Sequence, residues 1–177
     1  MRFFQATLLS ALLFGPGVGV ASDAVPMSVA ELTRRADLVV LGKVEGKEIK
    51  RDAQQRIFTE VRLAVQEVWK GDPKKPLLTV VQGGGILGGH KAVVDGQVSY
   101  EPGEQVVGFF VWNERGEAVT LSMSQGKFHV TQNPDGDPEV ANPFMGRDEK
   151  RAITAAASGG SPKLTLDSLK FQVKEAK

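Results

Sequence analysis

Two histidines are the first residues of this chain to consider for chemistry, because no cysteine occurs in its 177 residues. A zinc site needs three or four ligands of the His, Cys or carboxylate type. His90 and His129 are distant in sequence, and no His-x-x-x-His spacing exists. The two rings could converge only across one rim of the fold. The pattern therefore favours histidines on a strand face or in solvent, and it predicts no metal ligands.

Three serines are the candidates for a nucleophile, and none lies in the Gly-x-Ser-x-Gly turn of hydrolases; they are Ser99, Ser122 and Ser124. Asn133 and the segment Asp135-Gly136-Asp137 resemble part of a calcium loop, but the downstream ligand spacing of an EF-hand is missing. We interpret the segment as a turn. The other acidic residues fall in turns or on alternating polar faces, so the sequence predicts no catalytic residue.

A glycine-rich segment, residues 83–89, could in principle cradle a phosphate. A P-loop requires Gly-x-x-x-x-Gly-Lys-Ser/Thr followed by a helix. Here Lys91 is followed by Ala92 with no helix signal, and the glycines do not open the helix that a dinucleotide fingerprint requires. The segment predicts a loop at the rim of the fold, and the sequence predicts no cofactor.

The balance of charges argues against a nucleic-acid partner. The chain carries 22 Lys and Arg against 21 Asp and Glu. Residues 1–22 contain only Arg2 among these types, so their removal leaves 21 (22 − 1) against 21. Nucleic-acid binding normally needs a clear basic excess on one face. We therefore expect no nucleic-acid partner.

The first 22 residues have the layout of a cleavable secretory signal. Arg2 precedes an apolar stretch over residues 6–14, a Gly/Pro break follows at residues 15–17, and the small residues Ala21 and Ser22 come next. Cleavage after Ala21 or Ser22 is predicted, which gives a periplasmic or extracellular protein with no stable membrane insertion afterwards. The absence of cysteine excludes disulfides and a lipid-modified cysteine, so stability must come from the core.

The elements that must position these residues are mostly strands. Apolar runs separated by turn residues fill residues 36–130, and this spacing is typical of a small antiparallel barrel or sandwich. A parity change near Gln66 predicts a β-bulge, and Asp95-Gly96 predicts a two-residue hairpin. Residues 46–56 predict a loop or a ragged hairpin end, and residues 131–144 predict a loop. The predicted strands are residues 37–45, 57–69, 77–82, 105–112, 117–122 and 126–130.

Short helices are predicted on both sides of the strands. Ser28 and Glu31 form a capping box before a helix over residues 29–35. A short helix over residues 147–156, a linker over 158–162 and an amphipathic helix capped by Thr165, with Leu166, Leu169 and Val173 on one face, follow the strands. The predicted organisation is a signal peptide over 1–22, a β-barrel domain with an N-terminal capping helix over 23–144, and a linker with a C-terminal helix over 145–177. The fold class is mainly β, a small antiparallel OB-like β-barrel with short flanking helices.

Several of these segments resemble an uncharacterised group of small exported bacterial domains. They are residues 36–44 (ADLVVLGKV), 58–65, 68–72 (VWKGD), 102–110 (PGEQVVGFF) and 124–128 (SQGKF). More distantly, the alanine-aspartate start, the long second strand and the lysine-glycine turn are similar to the netrin-like OB barrel of tissue inhibitors of metalloproteinases. The resemblance implies the barrel fold. It supplies no residue with a chemical role, since those inhibitors act through an N-terminal cysteine that this chain lacks.

Two functions from different classes follow as expectations. The first is an exported, non-enzymatic β-barrel module that binds a protein or an envelope component, and it predicts an exposed apolar patch. The second is a small periplasmic hydrolase or metal-dependent enzyme that uses His90, His129 and nearby carboxylates. The second requires those side chains to converge in one concave site.

Overall fold

The computed structural model describes residues 25–134, 136–146 and 163–177 and shows a mainly β protein with two α-helices. One short 3-10 helix, Met123–Gln125, lies between two of the strands. No helix among these residues is long and apolar enough to cross a membrane. The elements in chain order are α1 Val29–Arg35, β1 Leu38–Arg51, β2 Ile57–Lys70, β3 Leu77–Gly83, β4 Gly85–Leu87, β5 His90–Ala92, β6 Gln105–Trp112, β7 Ala118–Thr120, β8 Lys127–Thr131, β9 Glu139–Ala141 and α2 Leu166–Glu175.

Seven of the strands form one sheet in the order β1-β2-β3-β7-β6-β8-β9, and β6 also pairs with β1. The pairing of β1, β2, β3, β7 and β6 therefore returns to its starting strand. All pairs are antiparallel except β3 with β7, which pair in parallel through Val80 and Ala118. β4 and β5 form a separate two-stranded sheet.

The first hairpin is longer than the sequence predicts. Residues 46–51 continue β1 and pair with β2, so of the two alternatives for residues 46–56 the hairpin end is correct and the loop is confined to residues 52–56. Asp52 closes a short turn, where its Oδ1 accepts from the backbone N–H groups of Gln54 at 3.0 Å and Arg56 at 2.8 Å. The polar residues of this ribbon are held by cross-strand pairs such as Lys50 with Glu60. Alternation of apolar and polar residues marks a strand with one buried face. Residues 47–51 are exposed or half-buried on both faces, so the alternation that would identify the strand in the sequence is absent.

The predicted bulge at Gln66 is confirmed. The β2 partners of the consecutive residues Leu41 and Gly42 are two positions apart, which leaves Gln66 without a partner. Two further register shifts in the same pair leave out Glu45 on β1 and Trp69 on β2. Each bulge bends its strand and increases its twist, so the long β1–β2 pair can curve while β1 also pairs with β6.

Two hydrophobic clusters pack on opposite faces of the sheet, and β1 contributes alternate residues to both. Leu38 and Val40 belong to the inner cluster, together with Val61 and Leu63, as predicted for the inward face of β2. Val39 and Leu41 belong to the outer cluster, between the sheet and the two α-helices. The inner cluster also holds Val44, Leu78, Val80, Tyr100, Val106, Phe110 and Ala118, and the outer one Val29, Leu32, Ala36, Trp69, Val107, Phe109, Phe128, Val130, Val140, Leu169 and Val173.

The N-terminal helix α1 begins and ends where the sequence predicts. Ser28 Oγ accepts from the Glu31 N–H at 3.3 Å, and Glu31 Oε2 accepts from the Ser28 N–H at 2.9 Å, which completes the capping box. At the other end, Lys70 Nζ donates to the carbonyl oxygens of Thr33 at 2.6 Å and Ala36 at 2.7 Å. A cation at the helix C-terminus stabilises its unpaired carbonyls, so Lys70 joins the end of β2 to α1.

The C-terminal helix α2 docks on the rest of the domain. Thr165 caps it by accepting from the Ser168 N–H at 3.2 Å, as predicted. Leu169 and Val173 are fully buried in the outer cluster. Just before the helix, Leu164 O accepts from the Val140 N–H at 2.8 Å, so the chain extends the sheet beyond β9. The predicted signal peptide, the helix over 147–156 and the linker over 158–162 lie outside the described residues.

Two turns were assigned wrongly from the sequence. The glycine-rich segment is a hairpin, β4–β5, whose turn residues Gly88 and Gly89 both have positive φ, 58° and 79°. Asp95-Gly96 forms a turn without flanking strands, and only Gly96 has positive φ. A tight two-residue hairpin of the preferred type needs both central residues in the left-handed region, which glycine adopts freely and Asp95 does not adopt here.

Two other differences from the predicted strands concern the end of β7 and the presence of β9. β7 ends at Thr120, two residues before its predicted end, because the 3-10 helix follows. β9 lies inside the predicted loop over residues 131–144 and pairs with β8. Its three residues give too short an apolar pattern for recognition from sequence.

Candidate functional site

A polar cluster lies where the chain enters β6 beside β8. Lys127 and His129 are alternate residues of β8 and so point to the same face. Glu104 directly precedes β6, which is the partner strand of β8. Glu104 Oε1 accepts from Lys127 Nζ at 2.5 Å and contacts His129 Nδ1 at 2.8 Å. One carboxylate oxygen therefore holds both β8 side chains.

Burial and charge shift the pKa values in this cluster. The side chains of Lys127 and Glu104 are 9% and 12% exposed, whereas that of His129 is 55% exposed. Burial lowers the pKa of Lys127 below its usual value, and Glu104 only partly offsets this. Burial alone would raise the pKa of Glu104, but hydrogen bonds from Lys127, from the Glu101 N–H and from His129 outweigh it and hold that pKa below its usual value.

The loop before β6 is fixed to the cluster at several points. Lys127 Nζ donates to the Ser99 carbonyl oxygen at 2.5 Å and lies 4.7 Å from the centre of the Tyr100 ring. Tyr100 is fully buried, its hydroxyl lies 2.7 Å from Thr120 Oγ1, and burial raises the pKa of the Tyr100 hydroxyl above its usual range. Glu101 accepts from Lys47 Nζ at 2.8 Å. This loop is therefore held in one conformation.

A groove of about 370 Å³ opens beside the cluster. We call it the β8–β9 groove; it is lined by residues 97–99, Ser124, Lys127, His129 and residues 141–143. Asn142, at its floor, donates through Nδ2 to the Gln125 carbonyl oxygen at 2.8 Å. His129 is oriented by Glu104 through Nδ1, so Nε2 is the ring nitrogen that Glu104 does not engage. The groove thus combines an oriented imidazole with small polar and apolar side chains.

The structure brings some of the sequence candidates together and separates others. Ser99, Ser124 and His129 line the β8–β9 groove. Ser99 Oγ donates to Glu101 at 2.7 Å, and Ser122 Oγ donates to the sulfur of Met27 at 3.1 Å. His90 lies on β5 opposite Leu87 and is not a lining residue of the groove. Within the described ranges, no three His, Asp or Glu side chains form a group able to hold a metal ion.

Glu104 and Lys127 were not among the sequence candidates. Glu104 was assigned to a turn, where an acidic residue is unremarkable. The signal for Lys127 was present in β8, since the alternation of Phe128 and Val130 on the buried side places Lys127 and His129 together on the other. Their partner could not be found, because the pairing of β8 with β6 joins residues that are far apart in sequence.

The β4–β5 hairpin has one packed face and one exposed face. Ile86 pairs with Lys91, so these side chains share a face, and Val93 follows directly after the end of β5. On the opposite face, a Cβ at Gly85 would contact the Ile49 side chain. Ile86 and Val93 are 61% and 67% exposed. We call Ile86, Lys91 and Val93 the hairpin outer face.

Met123 lies between this region and the groove. Its Sδ would be 2.9 Å from a Cβ at Gly96, in the turn that follows the hairpin, and its neighbour Ser124 lines the groove. Ser122 and Met123 have φ values of 49° and 55°. The left-handed conformation costs roughly 1–2 kcal/mol for residues other than glycine. Strain of this kind is common at binding surfaces, and Met123 is 46% exposed.

Comparison with known proteins gives no assignment. No protein-family model matches the chain, and a search of curated proteins gave no match. The function is therefore inferred from the geometry of the groove, the polar cluster and the hairpin outer face.

Proposed function

We propose that the chain is an exported, non-enzymatic β-barrel module that binds a protein or an envelope component. An OB-like barrel is supported by the circuit of pairings through β1, β2, β3, β7 and β6, by the parallel contact of β3 with β7, and by the inner hydrophobic cluster. A barrel of this kind presents loops and hairpins on a rigid core.

Exposed aliphatic side chains on one hairpin support the binding function. Ile86 of β4 and Val93, just after β5, are both more than half exposed, and Val94 is 41% exposed. Aliphatic residues grouped on a surface mark interaction sites more often than single ones do. Met123, which is 46% exposed, lies near Gly96 in the turn that follows the hairpin.

Affinity capture from the envelope fraction tests this function. The processed chain serves as bait beside a double variant, Ile86→Ser with Val93→Ser, and a control, Phe171→Ser, which removes a 65% exposed side chain from α2. We expect an envelope component that the parent and the control enrich and the double variant does not. Identical enrichment by all three proteins would contradict the proposal.

Export is a separate part of the proposal with its own measurement. N-terminal sequencing of protein from the native host should find a first residue near Ser22 or Asp23, because the small residues and the Gly/Pro break favour cleavage there. An intact Met1 on the mature protein would refute it.

A small hydrolase is a second candidate, favoured by the contact of His129 with Glu104. An imidazole fixed by a carboxylate through Nδ1 is the arrangement of a general base, and Ser124 lines the same groove. Hydrolysis of activated esters by the parent, lost in both His129→Ala and Ser124→Ala, would support it. Equal rates in the parent and the His129 variant would exclude this role for His129.

A further inference from the structure

We propose that the hairpin outer face binds the surface of a membrane containing anionic lipids. This inference rests on the proposed binding function and names its partner. The geometry of the β4–β5 hairpin, its charge and the kind of side chain it exposes each point to lipid.

The hairpin and the residue that follows it expose two aliphatic side chains. Ile86 and Val93 are 61% and 67% exposed, while the opposite face, at Gly85, packs on Ile49. Apolar groups that enter the boundary between headgroups and acyl chains bind more strongly the more apolar area they bury there. The two side chains can enter this boundary without disturbing the contact of the hairpin with β1.

The tip of the hairpin is also free of steric obstruction. A Cβ built at Gly88 or at Gly89 would meet no atom within 4 Å. The turn therefore stands clear of its surroundings in the described part of the chain. A planar surface can approach the tip and the outer face together.

The charge of the hairpin suits an anionic surface. Residues 83–94 contain Lys91 and His90 but no acidic residue, and the first carboxylate is Asp95. Lys91 lies beside Ile86 on the outer face and forms no ion pair with any described residue. A lysine near an anionic membrane strengthens binding about fivefold, an effect that salt screens.

Lipid fits this surface better than a protein partner does. Stable protein interfaces bury about 800 Å² on each side and are enriched in aromatic residues and arginine. The outer face offers two aliphatic chains and one lysine, which is less than such an interface needs without further contacts elsewhere on the domain. A membrane requires no matching shape, so a small apolar face with one cation is enough for weak, reversible adsorption.

Cosedimentation with vesicles tests the inference. The chain starting at Asp23 contains every described contact, and it is incubated with vesicles of phosphatidylcholine alone or of phosphatidylcholine mixed with an equal amount of phosphatidylglycerol. We expect binding to the mixed vesicles that falls at high salt. Ile86→Ser with Val93→Ser should weaken it about tenfold or more, and Lys91→Gln about fivefold.

Matched controls separate adsorption from misfolding. Phe171→Ser removes an equally exposed apolar side chain from α2 and should leave vesicle binding unchanged. All these variants change exposed residues, so their melting temperatures should stay close to that of the parent. In Ile86→Trp, the new indole should shift its emission to shorter wavelength when mixed vesicles are added.

Two results would overturn the inference. One is a parent protein that does not sediment with the mixed vesicles. The other is an Ile86 and Val93 double variant that sediments as well as the parent. If vesicle binding fails while the outer face is still needed to capture an envelope protein, the lipid assignment is wrong and the binding function stands.

Discussion

Leu169 on α2 offers the sharpest test of how the domain is held together. The residue is fully buried in the outer cluster, which also contains Leu32 of α1 and Trp69 of β2. Leu169→Ala removes these contacts and leaves a cavity, and buried leucine-to-alanine changes cost about 2–5 kcal/mol. Alanine is the best helix former, so the loss cannot come from helix propensity.

The magnitude follows from the burial. A loss of about 3 kcal/mol, at roughly 2–4 °C per kcal/mol for a domain of this size, lowers the melting temperature by about 6–12 °C. Phe171→Ala, two positions along the same helix, removes a larger side chain that is 65% exposed. This control should change stability by only about 0.5 kcal/mol. The burial pattern, not the size of the deleted group, sets the difference.

Urea and thermal unfolding, followed by the fluorescence of the buried Trp69 in a Trp112→Phe background that removes the second tryptophan, measure the effect. Trp69 Nε1 donates to Glu67 at 3.0 Å, and Glu67 also pairs with Lys170 of α2, so the indole reports on docking of the helix. Deletion of residues 163–177 should lower the melting temperature further and expose a dye-binding surface. If Leu169→Ala melts within about 2 °C of the parent, or if Phe171→Ala lowers the melting temperature as much as Leu169→Ala does, the docking geometry is wrong.

Three further predictions concern the core, the polar cluster and one turn. Val61→Asp should prevent folding, because an unpaired charge in the inner cluster costs several kcal/mol of a total of about 5–15, whereas Arg62→Ser on the exposed side should melt like the parent in circular dichroism. Folding lowers the pKa of Glu104, so its carboxylate stabilises the folded state above its usual pKa, and this stabilisation is lost as the pH falls through the lowered value. Glu104→Gln should therefore have a lower melting temperature than the parent at neutral pH, and that temperature should depend less on acid. Gly71→Ala should cost about 2 kcal/mol or more in urea unfolding, because its Cβ would clash with a backbone carbonyl, while Gly103→Ala, with positive φ and open space around it, should cost about 1 kcal/mol.

Local chemistry explains which elements the sequence predicted well. The capping box at Ser28 and the cap at Thr165 depend on residues within one helical turn, and both are present in the structure. The bulge at Gln66 could be predicted because the alternation of apolar and polar residues along β2 shifts by one position there. These signals are short-range, so a single sequence contains them in full.

The errors arise where distant residues decide the structure. Residues 46–51 belong to β1 because β2 pairs with them, although their own pattern is polar. The cluster of Glu104, Lys127 and His129 exists because β8 lies beside β6. The position of the tight hairpin also depends on backbone conformation, because Gly88 and Gly89 adopt the left-handed conformation that Asp95 does not adopt. None of these partners can be recognised from local pattern alone.

The position of α2 in the chain has a consequence for when folding can finish. Residues 164–173 complete the outer edge of β9 and the outer cluster, and they are synthesised after every described strand of the sheet. A nascent chain without them has an open strand edge and an exposed apolar face, the features that make incomplete chains aggregate. The outer cluster therefore stays partly uncovered until α2 has been synthesised and has docked, and until then the chain depends on being kept apart from its neighbours.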